Sequence, residues 1–203
     1  MKSDIFNNEL DFIVRPAVRE FARTVLEDAP DYFFKSEASS NARFHPAYEL
    51  GEGGLVCHTK AVFKFFYYIA HLRQYDISER LIELGYVACL THDIFRFGDD
   101  EEYNKKIKNQ KENSDVFEHP LLDAEFIRGY KGKNYLSDDE IEIIAMMISS
   151  HMSEWRTCKD GIELPEPDAL LEQILHMADF LASRKDISIS FNDDEYAYQN
   201  SKN

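Results

Sequence analysis

The chain has 203 residues, of which 44% are hydrophobic and 30% charged, and it contains 8 Gly and 6 Pro. This composition is typical of a globular protein with enough apolar material for a core, and it excludes a fibrous or disordered chain. The formal net charge of -15 disfavours tight binding to duplex nucleic acid. The sequence contains no apolar run of the roughly 18 to 20 residues that a membrane span needs and no pattern of a signal peptide, so we expect a cytoplasmic protein with no membrane partner.

The three cysteines, Cys57, Cys89 and Cys158, are far apart and form no Cys-x-x-Cys pair. Their spacing indicates neither a disulfide framework nor a zinc site built from thiolates. A reducing compartment agrees with this cysteine usage.

The hydrophobic pattern predicts helices along most of the chain. The first, over about residues 4–27, is expected to break at Pro16, and a loop over about 28–54 follows. Ser78 and the box Ser137-Asp-Asp-Glu140 predict two helix N-caps. The remaining helices are predicted at about 55–74, 78–91, 119–130, 138–152 and 168–184.

The charged stretch from Asp99 to Lys111 is expected to be a solvated loop or lid. The polar tail after Asp186 is expected to fray. We therefore predict one domain over residues 1–186, followed by a tail over 187–203.

Four predicted helices carry a His or Asp where an apolar stripe would continue. These residues are His58, His92, His151 and Asp179, and Asp93 directly follows His92. A lone buried histidine is usually satisfied by a backbone carbonyl. Several imidazoles and carboxylates that meet in a helical core would instead be destabilised by desolvation unless a cation compensated them. Ligands of these types favour Zn, Fe, Mn, Co or Ni over Ca.

The order of these residues resembles the HD-domain phosphohydrolase superfamily, which is named for its His-Asp doublet. The resemblance extends over about residues 44–184, the expected core of the domain. It depends on five segments in order, which are Gly53-Gly-Leu-Val-Cys-His58, Leu90-Thr-His92-Asp93, His119-Pro-Leu-Leu-Asp123, Ile148-Ser-Ser-His151 and Ile174-Leu-His-Met-Ala-Asp179.

The resemblance implies an all-α, single-domain helical bundle with a two-metal site. One ion would be held by His58, His92, Asp93 and Asp179, and the second by His119 and His151, with Asp93 as the bridge. The ions would be Mn, Fe, Zn, Co or Ni, with Mg as an alternative. They would activate water for attack on a phosphate, with Asp93 as the central catalytic residue.

Three further residues are predicted to serve the substrate. Arg96 stands where many members of the superfamily have Lys, and it is assigned to catalysis and phosphate binding, with a surface ion pair to Asp99 or Asp100 as its alternative. His45 resembles a residue near the substrate of related sequences, although a surface histidine fits as well. Trp155 is predicted to line a wall for a base, with core packing as its alternative.

The predicted function is metal-dependent hydrolysis of a phosphate ester or anhydride in a small nucleotide, such as a dNTP, an NMP or a dinucleotide. Parts of the sequence are similar to the HD domain of bacterial 3'-to-5' exoribonucleases, and the order of histidines resembles hydrolases of dinucleoside polyphosphates.

The first alternative is a 3'-5' exonuclease or phosphodiesterase acting on short single strands, which would need a basic track. The lysines available for it are Lys105, Lys106, Lys108, Lys111, Lys131 and Lys133. The second alternative is a noncatalytic nucleotide-binding or sensor protein.

The aromatic residues of the second long helix leave two interpretations open, a homodimer interface and packing in the core. They are Phe63, Phe65, Phe66, Tyr67 and Tyr68.

Overall fold

The computed structural model describes residues 1–39, 45–99, 101, 116–152, 161–187 and 189. Regular structure within these residues is helical and includes no strand, which confirms the predicted all-α class. The helices are α1 (Asn7–Leu10), α2 (Pro16–Asp28), α3 (Gly54–Ala70), α4 (Glu79–Thr91), α5 (His119–Arg128), α6 (Asp138–Ser149) and α7 (Leu170–Ala182).

The predicted break in the first helix is confirmed. The chain leaves α1 at Leu10, and α2 begins at Pro16, where the missing N–H of proline costs no helical hydrogen bond. The predicted loop over 28–54 was wrong in part, since it contains short 3-10 helices at Asp31–Phe34 and Ala47–Glu49. A further 3-10 helix at Lys2–Phe6 precedes α1.

The two predicted N-caps have different outcomes. Ser137 and Glu140 form the predicted reciprocal capping box at the start of α6. Ser78 occupies the N-cap position of α4, but its side chain makes no capping hydrogen bond, so that part of the prediction was wrong. Helices α3 and α6 end at Ala70 and Ser149, earlier than predicted. The prediction placed these ends too late because no glycine or proline directly follows either helix to mark its end.

Helix α3 lies at the centre of the bundle and packs along α7 and α4, while α6 packs on α4, α5 and α7. The α3–α4 contact is close because Gly85 faces the ring of Phe66. A Cβ atom at position 85 would lie 2.1 Å from Phe66 Cζ, so a larger residue there would push the helices apart. This contact sets the distance between the helices that carry His58 and His92.

The aromatic residues of α3 are mostly buried. Phe63 and Phe66 have no exposed surface, and Tyr67 is nearly buried, whereas Tyr68 is 46% exposed. These positions favour the core-packing interpretation for most of the set, and a homodimer stays a prediction.

None of the helices within the described ranges has the length and apolarity that crossing a membrane would require. Most of the predicted charged loop and of the polar tail lies outside the described residues.

Candidate metal centre

Six residues from five separate parts of the chain meet in the bundle. His58 lies within α3, His92 and Asp93 directly follow α4, and His119 opens α5. His151 comes just after α6, and Asp179 lies within α7. The four histidines and Asp93 are each at most 1% exposed, while the side chain of Asp179 is 14% exposed. The structure therefore brings together all six residues that the sequence singled out as metal ligands.

Asp93 occupies the middle of this cluster and uses its two oxygens on opposite sides. Its Oδ2 lies 3.6 Å from the Nε2 atoms of both His58 and His92. Its Oδ1 lies 3.0 Å from His119 Nε2 and 3.6 Å from His151 Nε2. In both three-residue sets that share Asp93, the potential ligand atoms all lie within 4.8 Å of one another.

Asp179 extends the first of these sets. Its Oδ1 is 3.0 Å from His58 Nε2 and 3.9 Å from His92 Nε2, and those two nitrogens are themselves 3.4 Å apart. Two nitrogens and two carboxylates thus surround one point, which is a set of donors that divalent transition metals prefer.

Backbone carbonyls orient three of the four imidazoles. The Nδ1 atoms of His92, His119 and His151 lie 2.7–2.9 Å from the carbonyl oxygens of the residues three positions earlier, Cys89, Val116 and Ile148. A carbonyl can only accept a hydrogen bond, so each Nδ1 must donate one. Each Nε2 then carries the lone pair that a metal needs, and it points toward Asp93.

Several atoms of the centre lack a hydrogen-bond partner. Asp93 Oδ1, His119 Nε2 and His151 Nε2 are buried and have no such partner within the described residues. The 3.0 Å separation of His119 Nε2 from Asp93 Oδ1 is an ion-pair distance, but the two groups are not aligned as a hydrogen bond. Buried polar atoms without a hydrogen-bond partner lower the stability of the folded state, and bound cations would give all three atoms a partner.

The pKa values separate the charged groups of the centre from the neutral ones. Burial lowers the pKa of His92 to about 4, so this ring is neutral near pH 7. Burial also opposes the charged form of His58, but the carboxylates of Glu49 and Asp179 outweigh it and raise that pKa to about 10. Without a metal, His58 and Asp179 therefore share a proton at the point where a cation would bind.

Asp93 and Asp179 both stay ionised. Burial disfavours their charged forms, but the pKa of Asp93 is held well below its usual range by Arg96 and the neighbouring imidazoles. The pKa of Asp179 is lowered mainly by His58. The centre therefore offers two carboxylates and several imidazole lone pairs, which together can hold divalent cations.

Comparison with known proteins agrees with this geometry. The family model described as "HD domain" matches residues 55–184. The chain belongs to the HD domain family. Membership implies, in general, binding of divalent metals and metal-dependent phosphohydrolase activity. No curated protein and no solved structure matches the chain.

Two polar residues of this HD domain lie against the His-Asp doublet. Arg96 donates from Nη1 to Asp93 Oδ2 at 2.5 Å, so its guanidinium reaches the centre of the site. Asp123 accepts from the backbone N–H of Phe95 at 2.8 Å, and burial raises its pKa well above the ordinary value. Asp123 lies one helical turn after His119, but it does not hydrogen-bond that ring, because His119 Nδ1 donates to the carbonyl of Val116.

The other two residues predicted to serve the substrate have different positions. His45 is partly buried, and its Nδ1 is 2.6 Å from Glu49 Oε2. Trp155 lies outside the described residues, so its predicted role stays a prediction.

The sequence interpretation missed Glu49, which is fully buried and contacts both His45 and His58. Burial raises its pKa, but the two imidazoles hold that pKa below the usual value, so Glu49 is ionised. The one available signal was its spacing, because Glu49 lies four residues after His45, a separation that suits contact across a single helical turn.

Proposed function

We propose that this HD domain protein is a phosphohydrolase that holds two divalent cations and hydrolyses a phosphate ester or anhydride of a small nucleotide. The observation that supports it best is the arrangement of Asp93, whose two oxygens each face a separate pair of imidazole Nε2 atoms. A carboxylate that presents one oxygen to each of two nitrogen pairs is suited to bridge two ions.

The first ion would be held by His58, His92, Asp93 and Asp179, and the second by Asp93, His119 and His151. When bound, divalent cations act as Lewis acids. They lower the pKa of water so that it can lose a proton and attack near neutral pH, and they neutralise the charge on the phosphate. The chain then needs no nucleophilic side chain of its own.

The residues around the ions would bind and orient the substrate. Arg96 is already at the centre, and its planar guanidinium can hold two phosphate oxygens at once while it stays charged at every working pH. His45, which is anchored through Nδ1, presents its other ring nitrogen for a hydrogen bond or a proton transfer.

A small substrate agrees with the charge of the protein. The net charge of -15 repels long polyanions, whereas cations bound in the site would reverse the sign locally for a compact phosphate. The proposal therefore favours a nucleotide over a nucleic acid strand.

The test combines elemental analysis of purified protein with a hydrolysis screen. The screen would hold deoxynucleoside triphosphates, nucleoside monophosphates, dinucleoside polyphosphates, a generic phosphodiester and labelled oligonucleotides, each assayed with Mn²⁺, Co²⁺, Ni²⁺, Zn²⁺, Fe²⁺ or Mg²⁺. We expect bound metal and release of phosphate, pyrophosphate or nucleoside from a small nucleotide. Metal-loaded protein that leaves the whole panel intact would contradict the proposal, and preferential shortening of oligonucleotides would favour a nuclease.

A further inference from the structure

We propose that Glu49 is a positioning residue that orients two histidines at once, His58 toward the metal and His45 toward the substrate. The proposal rests on the phosphohydrolase function proposed above. Its starting point is that one buried carboxylate contacts the Nδ1 atoms of both rings, with Oε1 2.8 Å from His58 and Oε2 2.6 Å from His45.

His58 differs from the other three imidazoles in the partner that fixes its ring. His92 and His151 follow helix ends, and their Nδ1 atoms donate to Cys89 and Ile148, whose carbonyls lie in the last turns of α4 and α6. His58 lies inside α3, where the preceding carbonyls already accept hydrogen bonds from the helix backbone. A side chain from outside the helix, Glu49, holds this ring instead.

The backbone around Glu49 is built to keep it in place. Its carbonyl oxygen accepts hydrogen bonds from the N–H groups of Ala38 and Ser39, at 2.9 and 3.3 Å. Gly54 begins α3 directly against this carbonyl, and a Cβ atom at position 54 would lie 2.2 Å from Glu49 O. Only glycine allows the first residue of α3 to lie this close to the Glu49 carbonyl. The first turn of α3 therefore fixes the position of the Glu49 backbone, which carries the carboxylate.

The carboxylate also determines which ring nitrogens stay available. Each oxygen of the carboxylate lies within hydrogen-bond distance of one Nδ1 atom, and as acceptors they require the hydrogen of each histidine to be on Nδ1. For His58 this leaves Nε2, which faces Asp93 and Asp179, as the nitrogen whose lone pair would bind a metal. For His45, whose side chain is 22% exposed, it leaves Nε2 as the nitrogen that a phosphate or a leaving group can reach.

Replacement of Glu49 by glutamine separates the two roles of the carboxylate without a change in size. The amide oxygen can accept from one Nδ1–H, but the amide NH₂ must donate to the other ring. That ring is forced to carry its hydrogen on Nε2, which removes the metal ligand from His58 or the free acceptor from His45. Loss of an outer partner of this kind typically weakens metal binding by about 10- to 100-fold.

The experiment measures zinc affinity by competition with a chromophoric chelator in four proteins, the wild type, Glu49→Gln, His45→Ala and Glu83→Gln. Glu83 is the matched control, because it is a buried glutamate that accepts hydrogen bonds from Val14 and Arg15, away from the site. We expect Glu49→Gln to lose one of the two roles. Zinc binding falls at least about tenfold if the amide donates to His58, and nucleotide hydrolysis falls at unchanged zinc affinity if it donates to His45. The zinc affinities of the other two variants should stay within about threefold of the wild type.

The hydrogen positions are measured directly on zinc-loaded wild-type protein by long-range ¹H–¹⁵N correlation spectra of the imidazoles. We expect hydrogen on Nδ1 of both His58 and His45, with His45→Ala used to assign the signals. This measurement decides the matter even if Glu49→Gln fails to fold, as checked by circular dichroism. An Nδ1 without hydrogen on either ring overturns the proposal.

The remaining outcomes separate this inference from the proposed function. A wild type that binds zinc and hydrolyses a nucleotide, together with a folded Glu49→Gln that equals it in both properties, overturns the role of Glu49 alone. A wild type that takes up no metal contradicts both the metal centre and the positioning role. Nucleotide hydrolysis that falls in His45→Ala while its zinc affinity is unchanged supports the substrate side of the proposal.

Discussion

Asp93 and Glu9 are both buried carboxylates with oxygens that have no hydrogen-bond partner in the described part of the chain. Glu9 lies in α1 and is fully buried, and neither of its oxygens has a hydrogen-bond partner among the described residues. Burial is the dominant influence on it, because the nearby Lys60 and Lys64 only partly offset the cost of the charge, and its pKa rises from 4.5 to about 7.

The surroundings of Asp93 are the opposite. Arg96 and the imidazoles around it outweigh burial, so Asp93 stays charged near pH 7, where Glu9 is only about half ionised. Both sets of residues in the described chain that could hold a metal contain Asp93, and neither contains Glu9. An unpaired buried acid is thus suited to bind a metal only where imidazole nitrogens from other elements converge on it.

The largest difference between the two acids is expected in metal binding. Asp93→Ala should remove bound metal and lower hydrolysis by at least about a thousandfold, since cation stabilisation of the reaction is worth several kcal/mol. Glu9→Ala should keep metal and activity per folded molecule. Elemental analysis and phosphate release measure both, and wild-type levels of either property in Asp93→Ala would refute the bridging role.

The second prediction concerns the two sets of ligands on either side of Asp93. His119→Ala should leave one bound ion where the wild type holds two, because it removes a ligand from only one side of Asp93. The matched control is His71→Ala, whose ring hydrogen-bonds Tyr67 away from the site. Metal stoichiometry by elemental analysis checks the result, and an unchanged count in His119→Ala would argue for a single ion.

The third prediction concerns the pH dependence that Glu9 imposes on stability. The unfolded carboxyl loses its proton near pH 4.5 and the folded one near pH 7, so the folded state binds more protons between these values. The free energy of unfolding should therefore fall as pH rises through this window. The full loss is about 3 kcal/mol, since one pKa unit corresponds to about 1.4 kcal/mol.

Glu9→Gln removes this titration and should be more stable at pH 8 relative to the wild type than it is at pH 4.5. Urea unfolding at the two pH values measures the difference, and Glu20→Gln on α2 serves as an unburied glutamate control. Equal effects of Glu9→Gln at both pH values would show that the buried carboxyl carries no raised pKa.

The smallest effect is expected at Asp123, an acid intermediate between the other two. One of its oxygens accepts from Phe95 N–H, the other has no partner among the described residues, and burial raises its pKa well above the ordinary value. Asp123→Asn preserves the size of the side chain and the oxygen that accepts from Phe95, so the free energy of unfolding should change by no more than about 1 kcal/mol. Metal content should stay at the wild-type level, and its loss would place Asp123 among the ligands.

Parts of the structure could be predicted because they depend on local sequence. Pro16 at the start of α2 and the Ser137–Glu140 capping box each act within one turn of helix, so the pattern alone located them. The inward positions of His58, His92, His151 and Asp179 followed from helical periodicity. Ser78 shows the limit of such reasoning, since a favoured cap residue made no capping bond.

Glu49 and Glu9 could not be assigned from their neighbours in the sequence. Both are ordinary glutamates in short helical segments, and their states depend on what packs over them. Glu49 is buried between two histidines that compensate its charge, whereas Glu9 is buried among residues that do so only in part.

The sequence by itself determined the helical class, most helix starts and the inward positions of His58, His92, His151 and Asp179, because periodicity and residue type are local properties. The resemblance to the HD-domain superfamily added His119 and completed the set of six. The tertiary structure decided that Asp93 faces both pairs of imidazoles and that Glu49 holds His58. These features join residues far apart in the chain, and their distances are set by packing, such as the contact of Gly85 with Phe66.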